Sequence, residues 1–250
     1  MSSPSSAPCP TARLVVCLGD SITRGQVSSD YVARLQSRPR ATGTRFVNAG
    51  VNGDLAYNVA ARLDGIVEQD PDIVTLLVGT NDVNAQYDDA WTARYRKDQR
   101  LPVPPTREWY AEQLAVVLDR LRDGTRARLA VLEIPPLGED LSSRMNGLVE
   151  EYNNTLRAVA SPRGIPVLPL HERLVALVPT DRPAPPYVGS TRTVMLAAAR
   201  HLLLRQSWAA ISRRNGLSVL TDHIHLNDRA ADVVADLIEE FLDGLHGSAS

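Results

Sequence analysis

The chain has 250 residues, 44% of them hydrophobic, and a net charge of −2 from 27 Lys and Arg against 29 Asp and Glu. This composition is typical of a globular protein, and its charge balance argues against a dedicated nucleic-acid-binding protein. Cys9 and Cys17 are the only cysteines, which excludes a disulfide scaffold. No apolar run approaches the roughly 18 residues that a membrane span needs.

The N-terminal segment, residues 1–11, is rich in Ser and Pro and predicts a flexible tail. Only Arg13 precedes the short apolar run at 14–18, whereas a secretory signal needs a basic start and a longer apolar stretch. The sequence therefore predicts a cytoplasmic protein in a reducing compartment.

Short apolar runs alternate with helical patterns along the rest of the chain. Several runs are apolar at nearly every position, which is typical of strands covered on both faces. The strand–helix alternation predicts an α/β fold with a five-stranded parallel sheet and helices on both faces. The predicted strands are 13–18, 44–48, 73–78, 128–133 and 165–170, and the predicted helices are 29–37, 55–68, 108–122, 141–160 and one starting near Asn227.

Two segments interrupt this alternation, and we interpret both as insertions into a single domain spanning residues 12–246. Residues 83–105 are polar and end in prolines, which favours a solvated loop. Residues 178–216 begin with a Pro-rich stretch and continue with a helical pattern from Thr193 to about Ser212. That helix is expected either to pack on the core or to form a wall at a substrate pocket, in which case replacing Met195 or Trp208 would shift the acyl-chain preference.

Polar and glycine-rich sequences follow the predicted strands, where open α/β sheets bind their ligands. Ser21 comes after the first strand, Gly53 follows the second, and Asn81 follows the third. Asp222 and His225 precede the last helix. Together they supply the nucleophile, base, orienting carboxylate and oxyanion donors that acyl transfer requires.

Four motifs, GDS at 19–21, NGD at 52–54, GTND at 79–82 and DxxH at 222–225, resemble the blocks of the SGNH, or GDSL, hydrolase family. The resemblance spans most of the chain and implies a flavodoxin-like, three-layer α/β/α fold and a serine-dependent hydrolase of carboxylic esters. It implies Ser21 as the nucleophile, His225 as the base and Asp222 as its orienting partner. It also implies an oxyanion hole formed by Ser21, Gly53 and Asn81.

The chemistry of the side chains agrees with these roles. A serine hydroxyl needs a base to take its proton, and histidine titrates near neutral pH. A carboxylate three residues before His225 can accept from its other ring nitrogen and fix the tautomer. His223 competes for the role of base, but it directly follows Asp222 and lacks this spacing.

Other functions remain open at this point. Asp222, His223 and His225 form a cluster that could bind a metal ion, with Asp20 or Asp82 as further ligands. In the simpler interpretation, those two aspartates hold their turns through backbone hydrogen bonds, and the site uses no metal and no cofactor. Acyl transfer to another acceptor and a non-catalytic binding module are further alternatives. The expected partner is a small-molecule acyl ester. The sequence defines neither the acyl chain and alcohol of this ester nor the oligomeric state of the protein.

Overall fold

The computed structural model describes residues 12–187 and 189–247, so the predicted tail at 1–11 lies outside the described residues. Five strands form one sheet in the order β2-β1-β3-β4-β5, and all neighbouring strands are parallel. This strand order and the helices around the sheet confirm the predicted three-layer α/β/α, flavodoxin-like fold. The strands are β1 (Arg13–Gly19), β2 (Thr44–Gly50), β3 (Ile73–Leu77), β4 (Arg128–Leu132) and β5 (Val167–Leu168).

Helices follow every strand, and most of them lie on one of the two faces of the sheet. No helix among the described residues is long and apolar enough to cross a membrane. The helices are α1 (Ser21–Arg24), α2 (Tyr31–Ser37), α3 (Ala56–Ala61), α4 (Asp64–Val67), α5 (Thr80–Asn84), α6 (Asp89–Asp98), α7 (Arg107–Gly124), α8 (Arg144–Ala160), α9 (Leu170–Val175), α10 (Thr191–Leu204), α11 (Trp208–Arg214) and α12 (Asp228–Gly247).

The core has two halves because successive side chains of a strand point to opposite faces of the sheet. In β1, Val16 and Leu18 pack with side chains of α3, α7 and α8, whereas Val15 and Cys17 pack with α2, α9 and α12. All four β1 side chains are fully buried. The continuous apolar run in β1 is therefore explained by its position inside the sheet, covered on both faces.

The two insertions differ from their predicted structures. Residues 83–105 contain the helix α6, which buries none of its residues, rather than only a solvated loop. The helical pattern at 193–212 is split into α10 and α11, because Arg205 has a left-handed backbone (φ 52°) that ends α10. Residues 55–68 are likewise divided into two short helices, α3 and α4. Periodicity predicted helical structure in the last two regions but did not predict where each helix ends.

Candidate active site

The predicted site residues lie at the carboxyl edge of the sheet, where β1 separates β2 from β3. The chain leaves β1 toward β2 on one side and later returns to β3 on the other, so a crevice forms between the loops that follow these strands. Gly19, at the end of β1, pairs with both Gly50 and Leu77. A Cβ atom on Gly19 would lie 2.3 Å from Thr23 Oγ1 and 2.4 Å from the Leu77 carbonyl oxygen. The close approach of these strand ends therefore requires glycine at position 19.

Ser21 is the first residue of α1 and is held by the turn that precedes it. The Asp20 carboxylate caps this helix by accepting a hydrogen bond from the Ile22 N–H at 2.9 Å. Ser21 Oγ lies 2.9 Å from His225 Nε2, although the two residues are 204 positions apart in the chain. The serine hydroxyl is thus within hydrogen-bond distance of a histidine ring nitrogen that can take its proton.

The Asp222 carboxylate contacts the opposite side of the His225 ring. Its Oδ2 lies 2.9 Å from His225 Nδ1, and its Oδ1 accepts hydrogen bonds from the backbone N–H groups of His225 (2.9 Å) and Ile224 (3.1 Å). The carboxylate is completely buried, so these hydrogen bonds replace its contacts with water. Ser21, His225 and Asp222 form one hydrogen-bonded row, in which the carboxylate fixes the orientation of the ring.

Charge interactions within this row shift the pKa values of His225 and Asp222. Burial disfavours the charged form of His225, but the Asp222 carboxylate outweighs that effect and raises the pKa of His225 above its usual value. Burial likewise acts to raise the pKa of Asp222, yet the attraction and hydrogen bonds of His225 lower it below its usual value. The pair therefore favours an ionised carboxylate beside a more basic imidazole.

Gly53 and Asn81 reach the same crevice from the loops after β2 and β3. Gly53 has a positive φ of 82°, which suits glycine, and it lines the cleft that also contains Ser21, His225 and Asn81. Asn81 Nδ2 donates to the Asp54 carbonyl oxygen at 3.0 Å and makes a longer contact of 3.4 Å with Asp20 Oδ2. One of its two N–H groups is therefore bonded firmly and the other only weakly.

Three side chains that the sequence did not single out fix the Asn81 amide. Tyr95 in α6 donates its hydroxyl hydrogen to Asn81 Oδ1 at 2.8 Å and accepts from Asn84 Nδ2 at 3.2 Å. Tyr187 in turn donates to Asn84 Oδ1 at 2.5 Å. Because the donor to Oδ1 determines which side of the amide presents its N–H groups, this row keeps Asn81 Nδ2 on the side of Asp54 and Asp20. Tyr95 and Tyr187 come from the two insertions, and no spacing in the sequence could have linked them to Asn81.

Two charged side chains, Glu139 and Arg62, hold the loops on which the site is built. The Glu139 carboxylate accepts from the backbone N–H groups of Ser218, Val219 and Leu220 at 2.8–3.0 Å, immediately before Asp222. Arg62 contacts Asp54 Oδ2 at 2.7 Å and donates to the carbonyl oxygen of Gly19 at 3.0 Å. Neither residue belongs to a motif, so only the folded chain identifies them as supports of the site.

His223 and the two aspartates near the site have other partners. His223 has a positive φ of 74°, and its ring lies edge-on to Tyr187 with the ring centroids 6.1 Å apart. Asp82 accepts from the Ala56 N–H at 3.2 Å, and burial raises the pKa of both Asp20 and Asp82 to about 7. Asp20 and Asp82 thus accept hydrogen bonds from backbone N–H groups in the first turns of α1 and α3. Within residues 12–187 and 189–247, no group of three or more His, Cys, Asp or Glu side chains could hold a metal ion.

The cleft in front of Ser21 has a volume of about 320 Å³. It is open to solvent on one side, and both insertions contribute to its walls. Its lining outside the residues already described consists of Val27, Asn52, Trp91, Arg94, Ser190, Thr191, Val194 and Ile224. Val194 thus forms part of the pocket wall that was expected from its segment, whereas Met195 and Trp208 do not line the cleft.

Comparison with known proteins agrees with this arrangement. The model of the GDSL-like Lipase/Acylhydrolase family matches residues 17–233. Similar solved structures include an acetyl xylan esterase, AlAXEase (TM-score 0.63, 19% identity, 91% of this chain and 98% of that chain covered). Others are LAE5, an α/β hydrolase from the metagenome of Lake Arreo, Spain (TM-score 0.61, 20% identity, 92% and 94% covered), and Axe2, an acetylxylan esterase from Geobacillus stearothermophilus (TM-score 0.64, 17% identity, 91% and 93% covered).

At these identities the structural likenesses show the fold, and no curated protein sequence matches the chain. The family match covers most of the chain and includes the segments that carry Ser21, Gly53, Asn81, Asp222 and His225. The chain therefore belongs to the GDSL-like lipase/acylhydrolase family of serine ester hydrolases.

Proposed function

We propose that this protein hydrolyses carboxylic esters through a triad of Ser21, His225 and Asp222. The observation that carries this proposal is the continuous row of hydrogen bonds from Ser21 Oγ to His225 Nε2 and from His225 Nδ1 to Asp222. A serine hydroxyl is a weak nucleophile until a base accepts its proton, and a neutral His225 is placed to do so. Asp222 holds the tautomer in which Nε2 is free to act as the base and stabilises the imidazolium that forms.

The reaction then has two halves. Ser21 Oγ attacks the ester carbonyl while its proton passes to His225 Nε2, and the same proton is transferred to the departing alcohol as the acyl–Ser21 ester forms. Water gives a proton to His225 and attacks this acyl-enzyme, which releases the acid and restores the serine hydroxyl. No cofactor enters either half, because the nucleophile, base and donors are all residues of the chain.

The developing oxyanion is proposed to lie between Asn81 Nδ2 and the backbone N–H groups of Gly53 and Ser21. All three residues line the cleft, and the Asn81 amide is held by Tyr95 before substrate binds. The weak 3.4 Å contact from Asn81 Nδ2 to Asp20 is the one that the oxyanion would replace. Donors fixed in advance stabilise transition-state charge without the cost of reorientation.

We further infer that residues 12–246 form one domain, with the segments 83–105 and 178–216 as insertions that shape the cleft. The substrates of the solved relatives do not define the acyl group here, since the likeness to them shows the fold alone. The cytoplasmic location expected from the sequence stays a prediction.

The test uses esters of several acyl lengths, including an acetylated xylo-oligosaccharide, and a serine-directed phosphonate. Ser21→Ala should lose on the order of 10⁶-fold in kcat, and His225→Ala nearly as much. The phosphonate should label Ser21 in the wild type and leave Ser21→Ala unlabelled. His223→Asn is the matched control, because asparagine tolerates the positive φ at this position. Substantial turnover by folded Ser21→Ala, or a greater loss in His223→Asn than in His225→Ala, would refute the assignment.

A further inference from the structure

The helix α10 exposes the more apolar of its two faces. Positions 192, 195, 196, 199, 202 and 203 share one face by helical spacing, and they include Met195 (66% exposed), Leu196 (51%), Leu202 (68%) and Leu203 (78%). Leu204, at the end of the helix, is 65% exposed. The inward face is made of smaller groups, with Ala197 buried and Val194 partly buried against the core. An amphipathic helix that only covers the core would have the opposite orientation.

This exposure is concentrated on one helix. Among the described residues, the other exposed large apolar side chains are three isolated valines, Val51, Val103 and Val116, which are only 41–43% exposed. Single exposed apolar side chains are ordinary, whereas a contiguous group of leucines and a methionine marks an interaction surface. We call the group of Met195, Leu196, Leu202, Leu203 and Leu204 the α10 patch.

The α10 patch lies in a strongly basic part of the chain. Residues 182–221 contain six arginines and no Asp or Glu, in a chain whose net charge is −2. Arg192 lies on the exposed face of α10, Arg200 is one turn from Leu196 and Leu203, and Arg205 follows the helix directly. Within the described ranges, none of the three forms an ion pair with a carboxylate, whereas Arg34 and Arg38 each bind acidic residues of α12. The positive charge beside the patch is therefore free to attract an acidic partner.

A second copy of the chain fits this surface poorly. A two-fold contact between α10 and its copy would bring the same arginines together and place like charges opposite each other. The helix α10 has 14 residues and is about 21 Å long. One face of such a helix can bury only a small area compared with the roughly 800 Å² per partner of a stable interface. A partner that is apolar inside and anionic at its surface matches both the leucines and the arginines. A lipid surface with anionic headgroups has this composition.

We propose that the α10 patch docks this protein on anionic lipid surfaces, where it takes its acyl ester substrates. The leucines and Met195 enter the boundary between headgroups and acyl chains, while Arg192, Arg200 and Arg205 bind the phosphates. The N-terminal end of the same helix supplies Thr191 and Val194 to the cleft in front of Ser21. Docking by α10 thus brings the cleft close to the lipid surface. The choice of substrate rests on the proposed function, whereas the docking itself does not.

The first experiment measures binding alone, with the full chain sedimented with vesicles of equimolar phosphatidylcholine and phosphatidylglycerol. Leu202→Gln combined with Leu203→Gln should weaken partitioning at least about 10-fold, since each buried CH₂ group contributes about 4-fold. Val116→Gln, an exposed valine on α7, is the matched apolar control and should bind like the wild type. Equal binding by the α10 variant and this control, or no sedimentation of the wild type, would overturn the proposal.

The second experiment tests the charges. Arg192→Gln combined with Arg205→Asn should weaken binding about 25-fold, at about 5-fold for each arginine, and should reduce its salt dependence. Asparagine is chosen at 205 because the backbone there is left-handed. Arg45→Gln combined with Arg229→Gln is the matched control. Equally strong binding of the wild type to phosphatidylcholine alone would contradict the role of charge. A wild-type dimer that the leucine variant dissociates, without vesicle binding, would assign the patch to a second copy instead.

Activity measurements separate this proposal from the proposed function. The leucine variant should hydrolyse a monomeric, water-soluble ester at the wild-type rate and lose at least 10-fold only on esters presented in the vesicles. Ser21→Ala should bind vesicles like the wild type and hydrolyse neither substrate. A wild type that binds vesicles but hydrolyses no ester would refute the proposed function and leave the docking surface standing. An equal loss by the leucine variant on both substrates would refute docking as the cause.

Discussion

The Asn81 amide allows a quantitative test of the proposed oxyanion hole. Removing one such donor costs about 10²–10³-fold in kcat, or roughly 3–4 kcal/mol, so Asn81→Ala should fall in this range. KM should change little, because the bond strengthens only as negative charge develops on the carbonyl oxygen. The magnitude depends on the orientation of the Asn81 amide, which Tyr95 fixes by donating to Asn81 Oδ1 at 2.8 Å.

Tyr95→Phe removes that one hydrogen bond and keeps the ring. A neutral hydrogen bond contributes about 1 kcal/mol, so kcat should fall about 5-fold while the Asn81 amide loses its fixed orientation. Because Tyr95 acts through Asn81, the same change should have almost no effect in an Asn81→Ala background. The coupling energy of the double-mutant cycle should therefore equal the whole Tyr95→Phe effect, about 1 kcal/mol.

The assay is steady-state kcat and KM on one soluble ester for the four members of the cycle, with a melting curve for each. Tyr57→Phe is a suitable control, since Tyr57 stacks on Trp109 and does not line the cleft. If Tyr95→Phe slows the Asn81→Ala enzyme as much as it slows the wild type, Tyr95 does not act through Asn81. If Tyr95→Phe raises KM and leaves kcat unchanged, Tyr95 contacts the substrate and the reasoning is refuted.

Two further predictions follow from the buried carboxylates. The Asp222 carboxylate raises the pKa of His225, which must be neutral to act as a base, so Asp222→Asn should move the acid limb of the kcat/KM profile to lower pH and reduce kcat about 10⁴-fold. An acid limb that stays in place would assign it to another group. Burial raises the pKa of Asp82 to about 7 from the usual 3.8 of an aspartate, so ionisation of Asp82 destabilises the folded state increasingly as the pH rises through this interval. The Tm of Asp82→Asn relative to that of the wild type should therefore increase between about pH 4 and about pH 8, and a constant difference in melting curves would contradict the shift.

The sequence predicted the sheet well because the inner strands β1, β3 and β4 are buried on both faces. A strand such as β1 must then be apolar at successive positions, and this pattern is visible without any knowledge of its neighbours. The parallel arrangement follows from the helices between strands, and the edge at which Ser21 and Asn81 lie follows from the parallel arrangement. No strand directly precedes His225, so only the DxxH motif predicted that His225 lies at this edge.

The orientation of α10 could not be predicted from the periodicity of its sequence. The spacing of Met195, Leu202 and Leu203 predicted one apolar face, and that face was expected to lie against the core or the pocket. In the structure, the inward face includes Ala197, which packs with Trp208 and Ile211 of α11, and Val194, which packs against the core. A pattern of apolar residues indicates a surface that avoids water but does not say whether the core or another partner covers it.

The sequence suggested a pocket wall in the second insertion, but it could not predict the contacts that join the two insertions. Tyr187 in one insertion bonds to Asn84 beside the other, Trp91 lies against the backbone near Gly189, and Arg94 donates to Thr191 Oγ1. The two insertions thus form one structure over the crevice, although neither shows a periodic pattern that could pair with the other. The insertions can change while the nucleophile and base stay in place, because the register of the strands does not depend on the insertions. Substitutions that alter substrate choice should therefore fall on α6 and α10, and substitutions that abolish turnover should fall at the ends of the strands and at Asp222 and His225 before α12.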